Sequence, residues 1–349
     1  MGGFRALSWR PLGESDLAAV TELAGDCLVA DGGQPFAASP GFLSRCYLSG
    51  AETYAGFDGS RLICVSSLRR PSLGSPGDGP DAAAVTTGLV YPPWRRLGIG
   101  GYAFDWAADR AGPGGIHAET EALGDEAHAL YLSKGLSQVF AEDVMQLAAS
   151  AQLPPAHPPG GLTLAQWGQA DPERFYAVYQ AAFRERPGFP GWPQARWINW
   201  ITDDEDFRAD WTLLAVLDGT DVAFIAGAAT GWITQMGVVP SSRGHDIGAR
   251  LIGEAVQRMR AAGEASITLN VNANNPHAAA LYRRLGFAAV GRRARYQARA
   301  AGLNLEVQLL AEGVREPLDK FRDAVLPRPV CPGFQCPRQP EQDIYVTIH

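Results

Sequence analysis

The feature that most constrains this chain is an arginine-bearing turn that occurs twice, 148 residues apart, each time between an apolar strand and a helix. In the second copy Val238, Val239 and Pro240 end an apolar run, Ser241 to His245 supply turn residues, and Ile247, Leu251, Ala255 and Met259 recur at helical spacing. In the first, a strand over Ala83–Tyr91 runs into Pro92-Pro93-Trp94-Arg95-Arg96-Leu97-Gly98-Ile99-Gly100, and Phe104, Ala107 and Ala108 suggest the helix. Such a turn aims unpaired N–H groups outward from the positive end of a helix dipole, which suits an anion such as a pyrophosphate.

A second element repeats with the first. Asn275-x-x-Ala278-x-x-Leu281-Tyr282-x-x-x-Gly286-Phe287 is a short helix carrying a tyrosine and ending at a glycine before a new strand, and Gly124-x-x-Ala127-x-x-Leu130-Tyr131-x-x-x-Gly135-Leu136 precedes it, the two tyrosines standing 151 residues apart. A repeat of about one domain length indicates a tandem duplication and not a solenoid. The copies have diverged in complementary ways: the first keeps both glycines of its turn but has Gly124 and Leu136 in the helix motif, whereas the second has Asp246 where the turn's first glycine belongs. Aspartate tolerates left-handed backbone and caps helices, so that turn can survive, although a carboxylate beside a pyrophosphate is electrostatically unwelcome.

Together these stretches resemble the two signature motifs of the GNAT superfamily of acyl-CoA-dependent N-acyltransferases, Arg/Gln-x-x-Gly-x-Gly/Ala and Asn-x-x-Ala-x-x-Leu-Tyr-x-x-x-Gly-Phe. The resemblance covers about residues 4–300 and implies an α/β (α+β) chain of two units, each a mixed, mostly antiparallel sheet flanked by helices. It implies acetyl-CoA, or another acyl-CoA, held in the second unit by Met236, Gly237, Val238, Arg243, Gly244, His245, Asp246, Ile247, Gly248, Ala249 and Asn275. In the first unit the corresponding residues are Leu89, Val90, Arg95, Arg96, Gly98, Gly100 and Gly101. Attack of an amine on a thioester expels a thiolate, and a phenol held beside the sulfur can protonate it; the resemblance gives that part to Tyr282, where the motif is complete, with a backbone N–H near Val238 as oxyanion donor. Trp192, Trp197 and Asp204 are the expected acceptor-site residues, and the general base is left among Asp203, Asp204, Glu205, Asp206, a water relay, or no base for an amine already neutral. No metal site is expected.

Length and composition agree with this. At 349 residues and 46% hydrophobic the chain can bury two ordinary cores, and the Pro-rich run Leu153–Gly161 marks the join. The expected division is 1–150, a linker at 151–161, a second unit at 162–312 and an extension at 313–349. Hairpins are expected around Asp58-Gly59-Ser60 and Asp218-Gly219, a first strand over 4–10, a surface loop over Arg69–Asp81, and a further strand and helix beyond 302. A formal charge of −7 without long basic runs argues against nucleic acid or an anionic membrane as partner. The partner expected is a small-molecule amine, and no apolar span or signal core is evident, which points to a cytoplasmic protein. Cys27, Cys46 and Cys64 sit singly in apolar patterns as core residues, and Cys331 and Cys336 lack a second ligand pair for zinc.

Three other readings compete. Gly98-x-Gly100-x-x-Ala103 followed by Glu119 or Glu121 fits a dinucleotide fingerprint, but Pro92–Leu97 separates it from its strand and the tyrosine repeat is left unexplained. A non-catalytic acyl-CoA-binding module and an aminoacyl-tRNA-dependent transferase on a similar fold are the others. A nicotinamide pocket at Gly98–Ala103, or one continuous sheet, would sink the reading of two such units.

Overall fold

The computed structural model describes residues 7–70, 83–186, 189–203 and 206–298. The expectations for residues 4–6, most of the loop to Asp81, Asp204 and Glu205, Cys331 and Cys336, and everything beyond residue 298 lie outside the described residues.

The first half runs β1 (Ser8–Arg10), α1 (Leu17–Asp31), α2 (Pro40–Tyr47), β2 (Glu52–Asp58), β3 (Arg61–Arg69), β4 (Ala84–Val90), α3 (Ile99–Ala108), β5 (Ile116–Thr120), α4 (Asp125–Ser133) and β6 (Leu136–Ala148). The second repeats the order with β7 (Leu162–Gln166), α5 (Pro172–Phe183), α6 (Gln194–Thr202), β8 (Phe207–Leu217), β9 (Thr220–Ala228), β10 (Trp232–Val238), α7 (Ile247–Ala261), β11 (Ser266–Asn272), α8 (Pro276–Arg284) and β12 (Ala288–Ala298). Both expected hairpins form. Asp218 and Gly219 take φ of 49° and 79°, the left-handed pair that a two-residue turn needs to match the twist of its strands.

Two separate sheets are what duplication alone would leave, and the structure departs from that: the twelve strands form one sheet, β1-β2-β3-β4-β5-β12-β6-β11-β10-β9-β8-β7. The cause is an exchange of last strands. β12 of the second half pairs antiparallel with β5 of the first, from Ala294 opposite Thr120 to Gln297 opposite His117, and β6 pairs antiparallel with β11, from Ser266 opposite Ala148 to Asn272 opposite Glu142. The two exchanged strands also pair with each other along ten residue pairs, which joins the sheets. One continuous sheet is the outcome stated above to sink two units, and that criterion overlooked strand exchange: the strand order of the repeat is preserved within each half, as two joined copies of one unit require.

The exchange is anchored by side chains. Met145 and Leu147 of β6 belong to the second half's apolar core, while Ala294 and Tyr296 of β12 belong to the first half's. Met145 and Leu147 are fully buried, which is worth roughly 1.5–3 kcal/mol each. Beside these strands Gly33 N–H donates to the Val290 carbonyl at 3.1 Å, and a side chain on Gly32, whose φ is 70°, would stand 1.7 Å from that carbonyl. Phe36 stacks on Trp232, and the Gln34 amide donates to Asn270. A charged cluster is buried at the same seam: Arg293 lies 3.5 Å from Glu121 and 3.6 Å from Glu142, with Arg293 and Glu142 almost wholly out of solvent.

Among the described residues no helix is long and apolar enough to cross a membrane, and no three metal-ligating side chains converge.

Candidate active site

Each half contains one parallel strand pair, and each pair comes apart after a few residues. β4 pairs with β5 only from Ala84 to Thr86, and β10 pairs with β11 only at Trp232 and Ile233, next to a bulge before Gln235. Beyond those points the backbone edges of β4 and β10 diverge from their parallel neighbours, which leaves room for an extended ligand to pair as an added strand.

The repeated turn sits at the end of each diverging strand. After a single 3-10 turn, Pro92–Trp94 or Pro240–Ser242, the backbone enters the left-handed region twice: at Arg96 and Gly98 with φ of 62° and 85°, and at Gly244 and Asp246 with φ of 80° and 54°. The second left-handed residue is the N-cap of α3 or α7. Asp246 therefore keeps the geometry of the glycine it replaces, and its side chain is what differs. It accepts from Arg284 of α8 at 2.9 Å and from the His157 N–H at 3.3 Å, and the Arg284 bond holds its pKa below the ordinary carboxylate value.

The arginines of the turn are turned onto protein. Arg95 Nε donates to the Val90 carbonyl at 3.2 Å and its two terminal nitrogens grip Asp31 at 2.6 Å each; Arg243 Nε donates to the Val238 carbonyl at 3.1 Å and Nη2 to the Ala182 carbonyl at 2.9 Å. In this arrangement both guanidinium groups brace the turn against the first long helix of their half. The Asp31 brace also accounts for a divergence in the repeat. Asn275 caps α8, its side chain accepting from Ala278 N–H at 3.1 Å, whereas a Cβ on its counterpart Gly124 would lie 2.5 Å from Asp31 Oδ1.

All seven residues expected to hold cofactor in the first half line one cavity of about 600 Å3, within the range of small-molecule sites. Its remaining walls include Cys27, Ser66, Thr86, Thr120, Leu130 and Tyr131. A Cβ at Gly100 would already touch Leu130 at 3.4 Å and Val90 at 3.6 Å, so a bulky side chain there would fill the cavity. Tyr131 is 7% exposed and packs on Tyr296 of the exchanged strand at 4.7 Å; burial pushes its phenol up to about 12. Burial also raises the Cys27 thiol to about 11, so that group stays a thiol at neutral pH.

The second-half residues are gathered at the corresponding place but are more tightly enclosed. Met236, Ile247, Gly248 and Ala249 are buried at the start of α7, Gly237 and Val238 end β10, and Gly244 and His245 are exposed in the turn. Tyr282 is wholly buried, its hydroxyl has no hydrogen-bond partner among the described residues, and burial raises its pKa well above the ordinary phenol value. Trp192 and Trp197, expected at an acceptor wall, are packed in the aromatic cluster between α5, α6 and the sheet, and Trp197 Nε1 donates to Gln235 Oε1 at 3.0 Å. Of the acidic candidates, Asp204 and Glu205 are outside the described residues. Sequence reasoning missed Asp31, the polar cavity residues Ser66, Thr86 and Thr120, and the cluster of Glu121, Glu142 and Arg293; each is brought to its place by non-local pairing that leaves no local signal.

Known proteins show the same organisation. The family model described as the acetyltransferase (GNAT) family matches residues 167–287. The chain is 30% identical over 223 residues to the mycothiol acetyltransferase of Mycolicibacterium smegmatis, covering 61% of this chain and 74% of that protein, and 31% identical over 235 residues to that of Mycolicibacterium vanbaalenii, covering 63% and 75%. In fold it is similar to a GCN5-related N-acetyltransferase from Sphaerobacter thermophilus, with a TM-score of 0.64 at 22% identity over 83% of this chain and 95% of that one. It is likewise similar to a tandem GNAT protein from the clavulanic acid biosynthesis pathway, with a TM-score of 0.54 at 17% identity over 83% and 97%. Twin diverging strand pairs, twin helix-capping turns and these relatives lead to one assignment: the chain belongs to the GNAT acetyltransferase family and is a tandem N-acetyltransferase.

Proposed function

We propose that the protein moves an acetyl or other acyl group from acyl-CoA to an amine of a small molecule by direct attack in a ternary complex, and that the acyl-CoA lies in the first-half cavity. The observation that carries the reading is the cavity itself, which unites the diverging edge of β4, the intact Arg95–Gly98–Gly100 turn and Tyr131. Backbone N–H groups at the start of α3 receive the pyrophosphate, and β4 beyond Thr86 offers its edge to the pantetheine amides. A neutral amine nitrogen bonds to the thioester carbonyl carbon, the carbon–sulfur bond breaks, the thiolate takes the Tyr131 phenolic proton, and the proton lost by the acylated nitrogen returns through solvent to the Tyr131 phenolate, which restores the phenol. The unit boundaries at 151–161 belong to the same proposal.

The relatives' name suggests an acceptor like theirs. Gly231-Trp232-Ile233 at the start of β10 supply no carboxylate, so the proposal stops at the class of small amines.

Calorimetry with acetyl-CoA tests the reading. Replacing Gly98 and Gly100 with bulky residues should abolish binding at the first half; unchanged stoichiometry and affinity would make the turn merely structural. A second reading places transfer in the second half with Tyr282 as the acid. It is favoured by the complete Asn275–Phe287 motif and by the family match at 167–287.

A further inference from the structure

The join between the halves does more than span a gap. Ala149 N–H donates to the Ala265 carbonyl, just beyond the C-terminal end of α7, and Arg260 in the last turn of that helix donates to the Ala151 carbonyl. His157 N–H then reaches Asp246, the N-cap at the other end of the same helix. The lengths agree: six residues of extended, proline-rich chain span roughly 19 Å, and the fourteen residues from Asp246 to Arg260 rise roughly 21 Å. The join is thus laid along the whole of α7.

Its apolar residues are docked as well. Leu153 and Ala156 pack against the second half's core, as do Val238, Ala278 and Leu281. The first-half counterparts of those last three are Val90, Ala127 and Leu130, and they line the open cavity. Where the first half has a free glycine at the helix start, the second has a carboxylate with one oxygen on the join and the other on Arg284 of α8. Asp246 is the N-cap of α7, the place that Gly98 holds at the start of α3, where the first half is proposed to receive the pyrophosphate.

We propose that residues 151–157 are a built-in cover over the second half's cofactor mouth, and that Asp246 is its latch, so that one chain takes one acyl-CoA and not two. This rests on the reading that cofactor enters above the repeated turn. Isothermal titration of the full chain with acetyl-CoA is expected to give one site. Asp246→Gly frees both the join and Arg284 at a backbone angle glycine accepts, and should raise the stoichiometry to two and speed hydrogen exchange across 153–157. Combined with bulky residues at Gly98 and Gly100, Asp246→Gly should still bind one. Two sites in the unaltered chain, or one site and unchanged exchange in Asp246→Gly, would overturn the latch and leave the first-half reading standing. No binding by the unaltered chain would instead count against the cofactor reading itself. If Asp246→Gly proves too unstable to titrate, Arg284→Gln, which removes only the other tie on the carboxylate, should also speed exchange across 153–157, and no change there overturns the proposal.

Discussion

Replacing Tyr282 with phenylalanine takes one oxygen out of the second half's core and leaves the ring in place. That oxygen is wholly buried and has no hydrogen-bond partner among the described residues, so none of them offsets the cost of stripping water from the hydroxyl. Such a group costs about 1–3 kcal/mol, and the small void left behind returns part of it. The expected net effect is a stabilisation of about 1 kcal/mol, seen as a higher urea midpoint at unchanged slope and a melting temperature about 2–4 °C higher. Acetyl transfer should be unaffected, while Tyr131→Phe, facing the cavity, should lower turnover by about 100- to 10,000-fold with the fold intact. A lower urea midpoint for Tyr282→Phe would refute the claim that its hydroxyl is unpartnered. A collapse of turnover in that variant alone would put the proton donor in the second half.

Two further outcomes are expected. Glu142 is raised to about 7, chiefly by burial and against the pull of Arg293, from an ordinary 4.5. Between those values the folded chain keeps a proton that the unfolded chain has lost, so this group's contribution to stability is full below about pH 4.5 and is lost as pH rises through 7; thermal melts of Glu142→Gln across pH 5–8 should show a flatter decline than the parent. Gly124→Asn restores the residue of the family motif but drives its Cβ into Asp31, so it should destabilise by about 1 kcal/mol or more in urea titrations, and a gain in stability would contradict the brace.

The turns were legible in the sequence because their chemistry is local. Gly98 and Asp246 are residue types that accept a left-handed backbone at a helix start, and Asn275 caps the helix that begins beside it. What was not legible is everything set by a distant partner. Nothing in Leu136–Ala148 announces that it pairs with β11, 120 residues away at Gln146 and Ser266, and the same alternating pattern would serve a strand kept at home. The partner of Arg95 was hidden for a similar reason: an arginine beside a phosphate turn invites pairing with phosphate, and only folding brings Asp31 within 2.6 Å of it. Trp192 and Trp197 could have faced substrate or core, since an amphipathic aromatic segment fits both, and packing against Tyr179 and Phe224 decides where Trp197 lies.

The exchange of last strands sets an order of events during synthesis. The strand that completes the first half's sheet ends at Ala298, 150 residues after the end of β6 at Ala148. At about 5–20 residues per second the ribosome needs roughly 8–30 s to deliver it. For that interval β5 has one open edge, and β6 waits for its first neighbour until β11 is made, at Asn272, and for its second until Ala298, although the rest of the first half is already made. Tyr131 meanwhile lacks Tyr296 at its back, so the cavity is unfinished too. A nascent chain of this design cannot mature half by half: it emerges with sticky edges, needs protection from its neighbours on the polysome, and closes into its one continuous sheet only in a late step.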